Sequence, residues 1–293
     1  MSEYHAGLSA RPVDELQGEW YEFRRAWLDY LARPYGPLSP VGLYWLGEDP
    51  QTFDEIPGSW SVEGGRRIVV DASAQDRLTV DDQPIKDRTT LLDAAAPHAA
   101  RPAWHDTVLV VPTLFPTQTG QAAQLGIQVH DPYVASRRLE LGVPTYPYDP
   151  KWILPARYEP FPERRPVTLR SVVEGKIKDL SVFGRVSFVL DGNSYFLEVY
   201  AGPDYELHIP FRDRTSGHTT FAGARLVFAP QPKSAGGAAF DFELDFNRAV
   251  NGPCGFSPYT TCALPPPGNT LPVAIEAGEK LPLWMEQPSE WAR

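Results

Sequence analysis

The chain has 293 residues, 42% of them hydrophobic and 22% charged, with a net charge of −10. That is enough for a sizeable buried core, and an acidic balance without a basic stripe argues against nucleic acid and anionic membrane surfaces as partners. The 31 prolines break helix interiors and central strands, which predicts many turns and short strands and little helix.

The opening MSEYHAGLSARPVDELQGEW has no apolar signal core, and no run reaches the length of a membrane-spanning helix. With two cysteines, this reads as a cytoplasmic protein that does not engage the membrane.

In chain order, residues 13–31 come first. Val13, Leu16, Trp20, Phe23, Trp27 and Leu31 recur at steps of three and four, which predicts an amphipathic helix ended by Pro34. Its aromatic stripe reads as a face that docks on a sheet, or alternatively as a cofactor surface.

After Pro34 the pattern is β. Short strands are predicted at 67–71, 77–80, 107–111, 126–130, 153–158 and 167–173, separated by turn-rich pieces such as IPGSW, VEGGR and VDDQP. RVSFVLDGNSYFLEVYA predicts a hairpin turning at Asp191-Gly192-Asn193. YELHIPF and FAGARLVF follow as strands. Phe240, Phe242, Leu244 and Phe246 alternate with Asp241, Glu243, Asp245 and Asn247, giving a half-buried strand with one acidic face.

The fold class expected is mainly β: antiparallel sandwich or barrel-like sheets in two lobes, with one N-terminal amphipathic helix. The divisions expected are 1–34 for the helix, 35–160 for one β-rich lobe, and 161–293 for a second with a proline-rich C-terminal loop. YEPFPERRP, at 158–166, reads as the linker.

Three clusters carry candidate chemistry. In PFRDRTSGHTTFAGAR, Arg212 suits a carboxylate or phosphate, Asp213 could orient it, and Thr215 and Ser216 offer donors to an anion. The bland alternative is a capped turn in which Asp213 and Thr215 bond their own backbone. His218 is a candidate base beside Ser216, although triad members normally come from separate elements.

Asp245, Asn247 and Asn251 form the second cluster. If the following loop covers Asp245, desolvation raises its pKa unless hydrogen bonds oppose it, making it a candidate acid or base. The alternative is that these side chains tie down loop backbone.

Cys254 and Cys262 form the third, with seven residues between them. Four readings stand open: two buried apolar side chains, a disulfide, a metal pair of unusual spacing, or a catalytic thiolate at Cys254. No zinc, Walker or dinucleotide motif is present, so neither a metal nor a cofactor is expected.

PFRDRTSGHTTF and LDFNRAVNGPCGFSPYTTCALPPPGNTLPVAIEAGEK resemble number 1684 in the domain-of-unknown-function series, a bacterial and archaeal family. GLYWLGEDPQTF, GIQVHDP and PTYPYDPKWILPARYEPF extend the likeness to roughly residues 15–281. The resemblance implies a β-rich, cytoplasmic protein and brings no catalytic residues. The chain departs from the family pattern at Gly252 and Ala263, where proline is usual, and at Thr270, where arginine is.

Two functions fit these residues. One is a cofactor-independent hydrolytic or acid–base enzyme acting on a small polar or anionic metabolite. Its site would form where 210–225 meets 245–262, with Asp245, His218 and Cys254 as catalytic groups. Arg212, Asp213, Thr215, Ser216, Asn247 and Asn251 would bind substrate, and Glu279 and Lys280 would add charge at the mouth. The other is a non-catalytic module that binds a small molecule or peptide, with aromatic side chains stacking on a ring.

Overall fold

The computed structural model describes residues 11–115, 123–201, 206–230 and 238–286. The expected amphipathic helix is present as α1 (Val13–Leu31), following Pro12 and carrying Asp14 and Glu15 in its first turn, where acidic charge favours the helix dipole. Leu31 and Trp20 are buried from its apolar stripe, and so is Arg24.

Ten strands follow: β1 (Pro40–Trp45), β2 (Gln51–Phe53), β3 (Ile56–Glu63), β4 (Arg67–Asp71), β5 (Leu78–Val80), β6 (Gln83–Pro84), β7 (Thr89–Asp93), β8 (Ala103–His105), β9 (Val108–Phe115) and β10 (Gln124–His130). They form one sheet in the order β1-β10-β9-β8-β5-β6 and another in the order β2-β3-β4-β7. Trp60, Ile68, Leu78, Val110 and Ile127 belong to the core cluster that these sheets bury.

A second helix, α2 (Pro132–Leu141), interrupts the β pattern that was expected to run unbroken after Pro34. Asp131 accepts from the backbone N–H of Tyr133 at 2.8 Å and Pro132 occupies the first turn, so a cap and a fixed φ nucleate it.

The C-terminal part is built on seven strands: β11 (Ile153–Arg170), β12 (Ile177–Leu190), β13 (Asn193–Ala201), β14 (Glu206–Phe211), β15 (Arg225–Pro230), β16 (Phe240–Asp245) and β17 (Val250–Asn251). Their order is β16-β11-β12-β13-β14-β15-β17, with every pairing antiparallel. Residues 158–166, expected as a linker, lie within β11. The register against β12 shifts between Pro160 and Arg165, so the prolines fall at an irregularity where lost ladder bonds are tolerated.

The hairpin between β12 and β13 turns as predicted. Asp191 and Gly192 have φ of 50° and 76°, the left-handed pair that a two-residue turn requires. The core of this sheet gathers Val186, Leu197, Ile209, Phe211, Leu244 and Phe246. Among the described residues no sheet closes into a barrel. The fold is thus mainly β and antiparallel, as expected, with one helix more than predicted among the described residues. A smaller cluster of Leu31, Leu38, Ala135, Val143 and Phe256 joins both helices to the proline-rich loop.

Candidate functional site

The polar loop after β14 is a closed network. Asp213 is buried and accepts from Thr215 Oγ1 at 2.9 Å, from Ser216 Oγ at 3.0 Å and from the backbone N–H of Ile275 at 2.6 Å. Its carboxylate also faces Arg225 at 3.3 Å, with neither side chain exposed. Arg225 donates to the carbonyls of Ala277 and, at 2.9 Å, Ile275. Burial pushes the Arg225 guanidinium below its ordinary pKa, and Asp213 opposes that shift. The backbone of Arg212 is held on both sides: its N–H donates to Asn269 O at 2.9 Å and its carbonyl accepts from Leu271 at 2.8 Å. His218 stands exposed at the turn tip, its N–H donating to Thr215 O at 3.0 Å.

Asp245 ends β16, and the chain then turns into a 3-10 segment at Phe246–Arg248, so Asn247 does not share a strand face with it. The Asp245 carboxylate accepts from the N–H and the side-chain amide of Asn247, both at 2.9 Å, and faces Arg248 at 3.2 Å. Burial still raises its pKa above the usual carboxylate range, because the opposing bonds do not offset desolvation. Asn247 itself brackets Asp149, accepting from its N–H at 3.1 Å and donating to its carbonyl at 3.0 Å.

Asn251 is buried, donating its N–H to Glu279 Oε2 at 2.7 Å and its amide to Lys280 O at 2.9 Å. Glu279, expected to add charge at a mouth, is fully buried and accepts from Arg24 Nη1 at 2.5 Å and Trp27 Nε1 at 2.8 Å. Gly278 makes this possible. Its φ is 72°, and a Cβ there would lie 2.4 Å from Ala249 O, so only glycine brings the chain so close to that carbonyl.

Cys254 and Cys262 are free thiols. Burial drives the Cys254 thiol well above its ordinary pKa. The segments 210–225 and 245–262 do meet, since Arg225 pairs with Asn251 across β15 and β17, and the later chain adds a bond from Leu281 N–H to Thr219 O at 3.0 Å. Arg225, Asn251 and Glu279 at that junction are all buried. Among the described residues, no three His, Cys, Asp or Glu side chains are placed to hold a metal ion.

A wide cleft lies nearby, between α1 and the outer face of β14 and β15. It is a cleft of about 600 Å³ lined by residues that include Phe23, Trp27, Tyr30, His208, Phe228 and Phe256. Strand and helix periods both contribute. His208 and Phe228 are register partners on one sheet face, while Leu207 and Val227 point into the core. Phe23, Trp27 and Tyr30 follow one another at steps of four and three on α1.

His208 meets Phe228 edge to face at 4.8 Å and 78°, and Trp27 lies tilted at 42° and 6.2 Å from Phe228. Polar groups stand at the rim. Glu206 Oε2 faces His208 Nε2 at 3.5 Å, and Arg248 lies over Phe23 at 5.6 Å while facing both Asp245 and Glu19. A second recess of about 250 Å³, lined by Asp245, Glu243 and Leu16 among others, shares Phe228 and Arg248 with the cleft.

Helix α1 is held over this face by polar bonds. Trp20 Nε1 donates to Asn247 O at 2.9 Å, Arg24 and Trp27 reach Glu279, and Arg11 faces Glu243 at 3.4 Å. The sequence pointed to the stripe on α1 but not to Arg24, Glu206, Arg225 or Phe228. An arginine inside the apolar run ARLVF, and one within the aromatic helix stripe, are the signals that mark the buried pairs.

The model of the family described as Protein of unknown function (DUF1684) matches residues 141–280, a narrower stretch than the motifs suggested. The sheet wall of the cleft lies inside that stretch and the helix wall before it. An uncharacterized protein of Haloarcula marismortui, solved by solution NMR, is similar at 28% identity over 49% of this chain and 78% of its own, with a TM-score of 0.41. No curated protein matches the chain.

Proposed function

We propose, from the premise that residues 141–280 belong to the unknown-function family whose model they match, that the cleft between α1 and the β14–β15 face binds a planar heteroaromatic small molecule. The observation that carries this reading is the cleft itself. Its volume falls within the range of small-molecule sites, and its walls are aromatic with few polar groups at the rim. Glu206 accepts hydrogen bonds, Arg248 donates them, and His208 does either according to its tautomer. That rim suits a ring bearing both donors and acceptors. Arg248 is already faced by Asp245 and Glu19, which disfavours a strongly anionic ligand. In this reading the expected Asp213, Thr215, Ser216, Asn247 and Asn251 support the cleft from behind by holding loop backbone.

A second reading keeps Asp245 as an acid–base group. Its raised pKa and its place in the adjoining recess support that role for a ligand reaching past Arg248.

The test is a thermal-shift screen of purine, pteridine and indole compounds on wild-type protein and on Ala26→Trp. Position 26 lines the cleft from an exposed place on α1, so tryptophan fills the mouth without entering the core. A ligand of the cleft raises the wild-type Tm in a saturable way and leaves Ala26→Trp unmoved. Equal shifts in both proteins place binding elsewhere and refute the reading.

A further inference from the structure

We propose that Cys254 and Cys262 form a reversible dithiol–disulfide site that exchanges with small-molecule disulfides. Both thiols are free, and their contacts are reciprocal. The backbone N–H of Cys254 donates to Cys262 Sγ at 3.3 Å, and the backbone N–H of Cys262 donates to Cys254 Sγ at 3.0 Å. Each side chain therefore folds back onto the other residue's main chain, and the two thiols interact with each other. Thr260 Oγ1 donates to Cys254 Sγ at 2.8 Å and holds that sulfur in place.

The backbone at both ends is fixed by bonds that do not involve sulfur. Cys262 O accepts from Val172 N at 2.9 Å, and Leu264 N donates to Arg170 O at 2.8 Å, so the second cysteine is laced to the end of β11. Gly255 and Phe256 donate to Gly252 O and Pro253 O at 2.9 Å and 3.0 Å, so the first sits in a short 3-10 turn. Within the loop between them, Ser257 Oγ donates to Pro40 O and Trp284 Nε1 donates to Phe256 O. A disulfide here asks for a bond between groups already held together rather than for the closing of a loop. A high effective concentration of one thiol at the other favours the oxidised form at equilibrium.

The two cysteines differ in burial as residues and in acidity as thiols. Cys262 is partly exposed, whereas Cys254 is buried against a recess of about 160 Å³ lined by Val172, Phe221 and Thr260 among others. The Cys254 thiol and backbone N–H both favour a thiolate at Cys262, while burial keeps the proton on Cys254. The Cys262 thiolate attacks one sulfur of a small disulfide, forming a mixed disulfide and releasing one small thiolate. Cys254 then gives up its proton to that thiolate or to water, and its sulfur attacks the Cys262 sulfur. The bond to the small molecule breaks, and the second small thiolate leaves. The protein loses two thiol hydrogens and two electrons, and the small disulfide is reduced to two thiols.

The test equilibrates the full chain in glutathione buffers of increasing disulfide content. It is run once under native conditions and once in guanidinium, with acid quenching, alkylation and peptide mass mapping. The native chain is expected to lose two hydrogens and yield a Cys254–Cys262 cross-linked peptide at a glutathione disulfide content at least about tenfold lower than the unfolded chain requires. Cys254→Ser is expected to stop at a glutathione adduct on Cys262, and Cys262→Ser to stay unmodified at Cys254. A native chain that needs as much oxidant as the unfolded one overturns the proposal, as does one that carries only glutathione adducts. This comparison stands on the wild-type chain even where a serine variant does not fold.

Discussion

Arg24 on α1 meets Glu279 at 2.5 Å in a place where neither side chain is accessible to solvent beyond a tenth. The pair joins a helix near the start of the chain to a segment near its end, across 255 positions of sequence. Trp27 Nε1 reaches the same carboxylate oxygen, so one buried anion fixes two turns of α1. The position of the helix wall of the cleft therefore depends on a carboxylate outside the cleft.

Arg24→Ala leaves that carboxylate buried without its cation. Removing one partner of a buried pair costs about 3–5 kcal/mol, more than the pair itself contributes, because the remaining charge is uncompensated. Chemical unfolding of the variant is expected to show a loss of that size. Ligand stabilisation at the cleft should vanish in the same protein, because α1 loses its central anchor.

Stability should carry a pH signature from Glu279 and Asp245. Burial raises the pKa of both above the usual carboxylate range in the fold, with hydrogen bonds and neighbouring arginines opposing it. A carboxyl with a raised folded pKa favours folding fully below its unfolded value, and that contribution is lost as pH rises through the folded value. Glutamine at position 279 does not titrate. The unfolding free energy of wild type minus that of Glu279→Gln is therefore expected to grow as pH falls from neutrality into the acidic range. Chemical unfolding of both proteins at several pH values measures it, and a difference that shrinks on acidification contradicts the assignment.

Gly278→Ala should be far more damaging than its size suggests. The residue has φ of 72°, and the added methyl would meet Ala249 O at 2.4 Å and Ala249 Cβ at 2.7 Å. Left-handed strain together with a backbone clash is expected to cost about 3 kcal/mol or more. Because Glu279 follows directly, its bond to Arg24 should loosen as well. A crystal structure of the variant would show the displaced segment.

The polar loop separates by burial. Asp213→Asn removes the charge facing Arg225 inside the core and is expected to cost about 3 kcal/mol. His218→Ala, at an exposed turn tip, should stay within about 0.5 kcal/mol. Unfolding titrations of the two variants should differ accordingly, and a large loss in His218→Ala would point to a role the geometry does not give it.

Much of the fold was legible because its signals are local. The apolar steps from Val13 to Leu31 gave α1, and Asp191-Gly192 between alternating runs gave the hairpin. Helix α2 was missed because Ala135 alone is buried from it, so no stripe appears. Its Asp131-Pro132 cap was readable. Residues 158–166 looked like a linker because Pro160, Pro162 and Pro166 lie among charges, yet β11 carries them through an irregular register. The cleft was not legible. Trp27, His208, Phe228 and Phe256 come from four separate segments, and only the pairing of β14 with β15 under α1 brings them together. Long-range pairing of this kind leaves no trace in local periodicity.

The cleft reading meets its most direct test in hydrogen–deuterium exchange by mass spectrometry, with and without the compound that gives the largest thermal shift. Binding in the cleft predicts added protection in α1 around 23–30, in 206–208 and 226–228, and in 252–256, with 212–220 unchanged. Protection concentrated in 212–220, with α1 unaffected, would contradict it and move the site to the polar loop.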